Sequence, residues 1–327
     1  MLKEKRILVT GGTGSFGQQF TRTVLSLYPS IREVVIFSRN AEKQTAMAGQ
    51  FKDPRLKFIS GDIALREDVE KACPGIDIIV HTAALRIVPE AEAHPFDCIR
   101  TNVLGAQNLL DCAVKFHIPQ ILALSTDMAS SPHNVYGATK MLSEKLFIAA
   151  HHDHPELKTS VIRYGNMLAS TGTVIPFFIR KAKEDGILPV TDSRMTRFMA
   201  SLNECVHIAL RAIEKSIGGE TFAPKLKSYN IMTIAEAVAP QCETKIVGLR
   251  PGEKLFERMV SATEACYTIE TRDSYIIVPP YADKTLYCHH HHAQPVPNDF
   301  EFNSENNPDK FTPQEIRQLI QKLDLFH

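Results

Sequence analysis

At 327 residues and 36.6 kDa the chain is too long for one small module, and a nucleotide-binding lobe plus a smaller second lobe fits its size. Hydrophobic residues at 44% and charged residues at 23% are ordinary globular composition, which excludes a disordered or fibrous chain. Lys plus Arg and Asp plus Glu are both 37, so no overall basic field exists to attract nucleic acid or an acidic membrane surface, and any anion has to be bound by a local site.

Arg6 to Thr10 is a short apolar run that ends in glycines and is followed by a helix-compatible stretch from Ser15 to Leu27, as when a buried parallel strand feeds a helix. Met1 to Thr10 is too brief for a signal peptide, and no later run has the apolar length to span a bilayer, so a cytoplasmic protein is expected. Val34 to Phe37, Leu56 to Ile59, Ile76 to Val80, Ile121 to Leu124 and Ser160 to Arg163 read as further strands. Helical segments lie between most of them, including Pro95 to Phe116 and Tyr136 to Ala150. The alternation predicts an α/β fold, a doubly wound parallel sheet of the Rossmann type, over residues 1–168. From 169 to 327 it weakens: helices at Asn203 to Ser216 and Thr233 to Val238 mix with loops, and this is the expected substrate-binding lobe. The polar, Pro- and Asn-rich tail from Tyr281 to Lys310 is expected to be largely irregular. His289 to His292 lack the spacing that aims several ligands at one ion, so a solvated loop is expected there and no metal site. His151, His152 and His154 are expected to close a helix. The seven cysteines, Cys73, Cys98, Cys112, Cys205, Cys242, Cys266 and Cys288, show no paired metal-type spacing and read as reduced packing residues.

Gly11, Gly14 and Gly17, with Thr13, Ser15 and Phe16 between them, stand directly after the first strand and at the mouth of the first helix. That spacing lets backbone approach a pyrophosphate seated on the helix N-terminus. The second strand ends in Ser38-Arg39 where an NAD site carries an acid for the ribose diol; a hydroxyl and a guanidinium suit a ribose phosphate, so NADP is the expected cofactor. Asp62 and Ile63 after the third strand and Ala83 and Ala84 after the fourth are placed by fold position beside the cofactor. Tyr136 and Lys140, four residues apart at the start of a helix, share one face. An ammonium near a phenol favours phenolate, which makes the pair a base for alcohol oxidation, and Ser125-Thr126 at the end of the preceding strand completes the pattern.

These motifs, with Asp127, Asn134 to Lys140, Arg163 to Asn166, Pro176-Phe177-Phe178, Met195 to Phe198 and Arg250-Pro251-Gly252-Glu253-Lys254, resemble the inverting UDP-N-acetylglucosamine 4,6-dehydratases of pseudaminic acid biosynthesis, over about Ile7 to Asn307. The resemblance implies a homo-oligomeric lyase acting on UDP-N-acetylglucosamine or a close UDP-hexosamine. In such enzymes C4 is oxidised with Tyr136 and Lys140 as the base pair, water leaves across C5 and C6 with help from an Asp-Lys pair, and hydride returns internally. Asp127 matches the aspartate, but Met128 replaces the lysine, and a thioether neither accepts nor donates the proton. Arg86-Ile87 replaces a Lys-His pair beside the sugar and Thr171 an arginine. Asn166, Arg197 and Arg250 match positions that contact UDP, with Glu253 for ribose hydroxyls and Val174 alongside; Phe177 and Phe178 either cover the uracil or pack in the core. Three functions stand against one another: a dehydratase, a C4 epimerase or oxidoreductase that keeps its water, and a catalytically silent nucleotide sensor. Because the lysine that would support protonation at C5 is missing, the dehydratase reading includes release of a 5,6-ene sugar.

Overall fold

The computed structural model describes residues 2–168, 174–249 and 252–322. The six expected strands form as β1 (Arg6–Thr10), β2 (Glu33–Ser38), β3 (Leu56–Ser60), β4 (Ile78–His81), β5 (Gln120–Thr126) and β6 (Lys158–Tyr164). Between them lie α1 (Ser15–Leu27), α2 (Ala41–Phe51), α3 (Arg66–Ala72), α4 (Val88–Ala93), α5 (Pro95–Ile99), α6 (Gly105–Lys115) and α7 (Val135–Asp153). All six strands are parallel, in the order β3–β2–β1–β4–β5–β6, the doubly wound order of a dinucleotide-binding sheet. Glu220–Pro224 adds parallel to β6, and Ser274–Ile277, Thr268–Glu270 and Gln294–Pro295 extend that edge antiparallel. The sheet therefore draws strands from both sides of residue 168.

Both faces of the sheet are covered, as period-two alternation within apolar strands requires. Ile7 and Val9 of β1 pack with Phe16, Phe20 and Val24 of α1 and with Val206 and Ile213 of helix Leu202–Lys215. Leu8, between them in sequence, faces the opposite layer with Val35, Leu109 of α6 and Phe147 of α7. A separate cluster around Ile175, Phe178, Leu188, Ile234 and Ile316 holds the distal lobe, with helices Val174–Glu184, Ile231–Val238 and Pro313–Lys322. No helix among the described residues is long and apolar enough to cross a membrane.

Three local expectations need correction. The helix predicted over Pro95 to Phe116 is interrupted by a π-turn at Arg100–Leu104. The widened turn lets Asn102 accept from Leu85 N–H at 2.8 Å and donate to Leu85 O at 2.9 Å and Thr139 Oγ1 at 3.0 Å, tying the loop after β4 to α7. The histidine run is no solvated loop: helix Lys284–His291 contains most of it, and His291 is buried with Nε2 3.2 Å from Glu220 Oε1 and its ring edge on Phe222. The tail is accordingly more ordered than its composition predicts: Tyr287, Ala293, Val296 and Phe302 are buried as well, and Gln294–Pro295 and Phe302–Asn303 pair with strands earlier in the chain. All seven cysteines are free; Cys73, Cys98, Cys112 and Cys205 are buried as packing residues, whereas Cys266 is exposed.

The buried charge of Arg163 on β6 is met on both sides. It bonds Glu144 of α7 at 2.7 Å, Glu264 at 2.6 Å and the carbonyl of Met259 at 2.8 Å, which locks the active-site helix to the sheet and to the segment after residue 258. Removing the cation strands two buried carboxylates. Arg163→Met should therefore cost roughly 3–5 kcal/mol, read from the urea midpoint, while Arg194→Met, which breaks an exposed pair with Asp192, should cost less than about 1 kcal/mol.

Candidate active site

A cleft of about 1050 Å³ opens at the C-terminal ends of β1 and β4, where the strand order reverses. Its floor is glycine for a steric reason. Gly11 has φ +66°, and a Cβ there would stand 2.8 Å from the backbone of Ala83; a Cβ on Gly17 would stand 2.5 Å from the backbone of Gly12. No side chain caps α1 at Gly14, and Thr13, Ser15 and Phe16 line the cleft at that helix N-terminus. This is the cradle that a pyrophosphate fits. Ser38, Arg39, Asp62 and Ile63 form the far wall, with Arg39 Nη1 3.9 Å from Asp62 Oδ2 and most of the guanidinium exposed. Ala83 and Ala84 line the passage between the two ends. Behind it His81 Nδ1 meets Thr10 Oγ1 at 2.8 Å, and burial, reinforced by the Lys140 ammonium, holds the imidazole neutral with a pKa of about 3. The residues present fit a dinucleotide.

At the end of β5 successive residues turn different ways. Lys140 donates to the Leu124 carbonyl at 2.7 Å. Ser125, also in the cleft lining, donates to Glu144 Oε1 at 2.5 Å. Thr126 faces the cleft, donating to Asp127 Oδ1 at 3.0 Å and accepting from Met128 N–H at 3.3 Å. Asn134 caps α7 by accepting from Gly137 N–H at 2.8 Å, and a Cβ on Gly137 would stand 2.7 Å from the Met128 carbonyl, so the helix carrying Tyr136 is seated directly on the turn carrying Asp127. Tyr136, Lys140, Asp127 and Met128 share the cleft.

The electrostatics differ from the sequence expectation in one respect. Burial first, and then the Asp127 carboxylate, push the Tyr136 phenol up to about 12 against the Thr126 hydrogen bond and the Arg86 charge, while the Lys140 ammonium is hydrogen-bonded to the Leu124 carbonyl. Burial brings Lys140 down to about 8 against the pull of Glu144. Asp127 is pushed up to about 7 by burial and then by Glu257, opposed by the Thr126 hydrogen bond, Arg197 and Lys254.

Arg86, Asn166, Val174, Arg197 and Glu253, which the resemblance assigns to the sugar nucleotide, all line the cleft, and Asn166 donates to Tyr229 Oη at 3.0 Å. Arg197 is not an open fork: Nη1 donates to Thr196 O at 2.7 Å and Leu255 O at 3.1 Å, and Nη2 to Lys254 O at 2.8 Å. It clamps the 254–257 loop and lends its charge to the cleft. Phe177 does not line the cleft; it packs against Phe178 under Arg180, which leaves core packing as its role. Arg250 and Thr171 lie outside the described residues. The sequence reading missed Glu257 and gave Lys254 no role. Their signal was an acid and a base three residues apart on either side of the apolar pair Leu255-Phe256, and both are buried.

Residues 7–279 match the family of polysaccharide biosynthesis proteins. The UDP-N-acetylglucosamine 4,6-dehydratase (inverting) of Campylobacter jejuni serotype O:2 is 39% identical over 335 residues, covering all of both chains. The UDP-glucose 4-epimerase of Rickettsia conorii is 36% identical over 99% of this chain and 97% of its own. The X-ray structure of Pen from Bacillus thuringiensis superposes with a TM-score of 0.91 at 30% identity, covering 99% of each chain. With that full-length likeness and a glycine cradle leading to a Tyr136–Lys140 helix beside Asp127, the chain belongs to the family of inverting UDP-N-acetylglucosamine 4,6-dehydratases, sugar-nucleotide lyases built on the extended short-chain dehydrogenase fold.

Proposed function

We propose that the protein removes water from UDP-N-acetylglucosamine or a close UDP-hexosamine with NADP as cofactor, and that it releases, wholly or in part, a UDP-sugar with a 5,6 double bond and a C4 hydroxyl. The observation that carries this reading is a buried carboxyl, Asp127, in one cleft with Tyr136 and Lys140 and with Met128 as its neighbour. When bound, the cofactor supplies a hydride acceptor and donor. Tyr136 takes the C4 hydroxyl proton as C4 is oxidised, and Lys140 holds the helix turn in place through Leu124. The new ketone acidifies the C5 hydrogen. Asp127 takes that proton to leave an enolate across C4 and C5, then returns it to the C6 hydroxyl, and the C5–C6 double bond forms as the C6–O bond breaks and water departs.

Reduction of the resulting enone has two outcomes. At C6 it leaves an enolate that needs a proton at C5, the step a lysine at position 128 would support. At C4 it needs only the proton already on Tyr136, and a phenol that binds its proton as tightly as this one holds it until an alkoxide develops at C4. Met128 therefore favours the ene. It equally favours a second reading, C4 epimerisation without dehydration, which the mass of the product separates from the first. Exposed Phe96, Leu104 and Leu142 on the helices of the nucleotide lobe support a homo-oligomer assembled partly through that face.

Ser38 and Arg39 support NADP over NAD. Arg39→Ala should weaken NADP binding by roughly 1.5–3 kcal/mol and leave NAD binding almost unchanged in calorimetric titrations; equal affinities in the unmodified protein would remove the assignment. Tyr136→Phe should abolish C4 oxidation, followed as cofactor reduction in a single turnover, while cofactor affinity stays within about twofold because the ring is kept. With UDP-N-acetylglucosamine in heavy water, NMR of the first product should show vinylic C6 hydrogens and a mass one water below the substrate. Met128→Lys should shift the product toward the saturated 4-keto-6-deoxy sugar. Exclusive formation of that ketone by the unmodified enzyme overturns the ene, and a product of unchanged mass overturns dehydration.

A further inference from the structure

Beside Asp127 the cleft contains a second carboxyl that the reaction as derived does not use. Glu257 is 2% exposed and lines the cleft. Its backbone is fixed from both directions: its N–H donates to Ser304 Oγ at 3.0 Å, Ser304 N–H donates to its carbonyl at 2.9 Å, and Ser304 Oγ lies 2.9 Å from Thr196 Oγ1. The side chain is held loosely by comparison. Oε2 is 3.5 Å from the buried Lys254 ammonium and Oε1 is 3.9 Å from Arg197 Nε. Neither Lys254 Nζ nor Glu257 Oε2 has a hydrogen-bond partner among the described residues.

A structural ion pair buried this deeply closes to hydrogen-bond distance, as Arg163 does with Glu144 at 2.7 Å in the same protein. An unclosed one in the wall of the cleft, next to the carboxyl that must both accept and give up a proton, has an electrostatic use instead. We propose that Glu257, held between Lys254 and Arg197, is a positioning residue of the dehydration site whose carboxylate governs the proton carried by Asp127; the proposal rests on the dehydratase reading above.

The groups that face Asp127 come from every element around it: Thr126 beside it in sequence, Tyr136 on α7, Arg197 and Tyr229 on neighbouring strands of the distal lobe, and Lys254 and Glu257 on the clamped loop. Glu144 is engaged by Arg163 and Ser125. Two buried carboxyls lining one cleft resist being ionised together, so Glu257 favours the protonated form of Asp127 and Lys254 opposes it. Burial and Glu257 hold Asp127 near 7, high enough for the C5 proton to be kept until the C6 hydroxyl leaves and low enough for the carboxylate to begin the next turnover. No atoms or electrons are added to the reaction by this role; only the proton moving from C5 to the departing water is timed by it.

The sign follows from Asp127 starting as the base: kcat falls as pH drops through its pKa. Removing the Glu257 charge lowers that pKa, and removing the Lys254 charge raises it. The experiment is the pH profile of kcat for dehydration by the NADP-loaded enzyme, with the product mass measured in every reaction, for the unmodified protein, Glu257→Gln and Lys254→Met. The acid limb should move down by about one pH unit in Glu257→Gln and up by a similar amount in Lys254→Met, with cofactor affinity unchanged. A merely structural role lowers kcat without moving the limb, so limbs that stay in place, or move in the same direction in both variants, overturn the proposal while dehydration stands. If Glu257→Gln does not fold, Glu257→Met, uncharged and of similar length, takes its place, and an acid limb that does not move down in it overturns the proposal. An unmodified enzyme whose product has the substrate's mass overturns the dehydratase reading and this inference with it.

Discussion

A buried ammonium has to be held by something, and Lys140 is held by the carbonyl of Leu124 at 2.7 Å. That bond ties the second turn of α7 to the last residues of β5. Everything chemical in the cleft is arranged around the junction. The pairing of β4 with β5 stops at Ala123, one residue before the carbonyl that Lys140 uses; β5 then ends at Thr126, the chain turns at once at Asp127, and Gly137 must lack a side chain for the helix to approach the Met128 backbone. The parallel sheet supplies the rigid frame for this, since β5 is central and bonded along both edges, to β4 and β6.

Two charge clusters flank the junction and are built on opposite principles. On one side Arg163 is saturated by Glu144, Glu264 and the Met259 carbonyl, and its bonds are short. That cluster fixes geometry, and through Ser125 it reaches the strand end itself. On the other side Asp127, Glu257, Lys254 and Arg197 stand close without closing their pairs, and Lys254 and Glu257 each leave a polar atom unbonded among the described residues. Natural proteins tolerate such incompletely satisfied buried groups chiefly where chemistry needs them. The rigid cluster lets the loose one exist, because α7 and the 254–264 segment are anchored by Arg163 and need no further pairing at the cleft.

Much of this was legible in the amino-acid sequence because local steric rules are strong where they apply. The glycines at 11, 14 and 17 admit one backbone path, and the period-two apolar runs of β1 to β6 admit one layering, so the nucleotide lobe follows from residues alone. What was not legible depends on contacts remote in sequence. Composition makes His291 a solvated residue; only the arrival of Glu220, 71 positions away, buries it. Arg197 looks like an open fork until the carbonyls of Lys254 and Leu255 fold over it. The Tyr136–Lys140 spacing places both on one helix face, yet it carries no information on whether the ammonium is aimed at the phenol or at a strand carbonyl.

The same distinction bears on Met128. Taken as a local change, methionine in place of the lysine that the family resemblance implies removes one titratable group from the 127–128 turn. Within the cleft it is also a change in charge balance. Asp127 and Glu257 supply two carboxyls, and Lys254 and Arg197 supply two cations, so the buried set is neutral when both acids are ionised. A lysine at 128 would add a fifth charge beside Asp127 and pull its proton affinity down, the direction that makes it a better permanent carboxylate and a poorer proton donor. With a thioether there, Asp127 is left near the midpoint between acid and base. An enzyme whose one carboxyl must perform both halves of an elimination needs that midpoint, and an enzyme that divides the task between an aspartate and a lysine does not. With methionine at 128, the charged groups acting on Asp127 are Glu257, Arg197 and Lys254, so the charge balance around that carboxyl is set by the distal strand and the loop packed against it and not by the 127–128 turn itself.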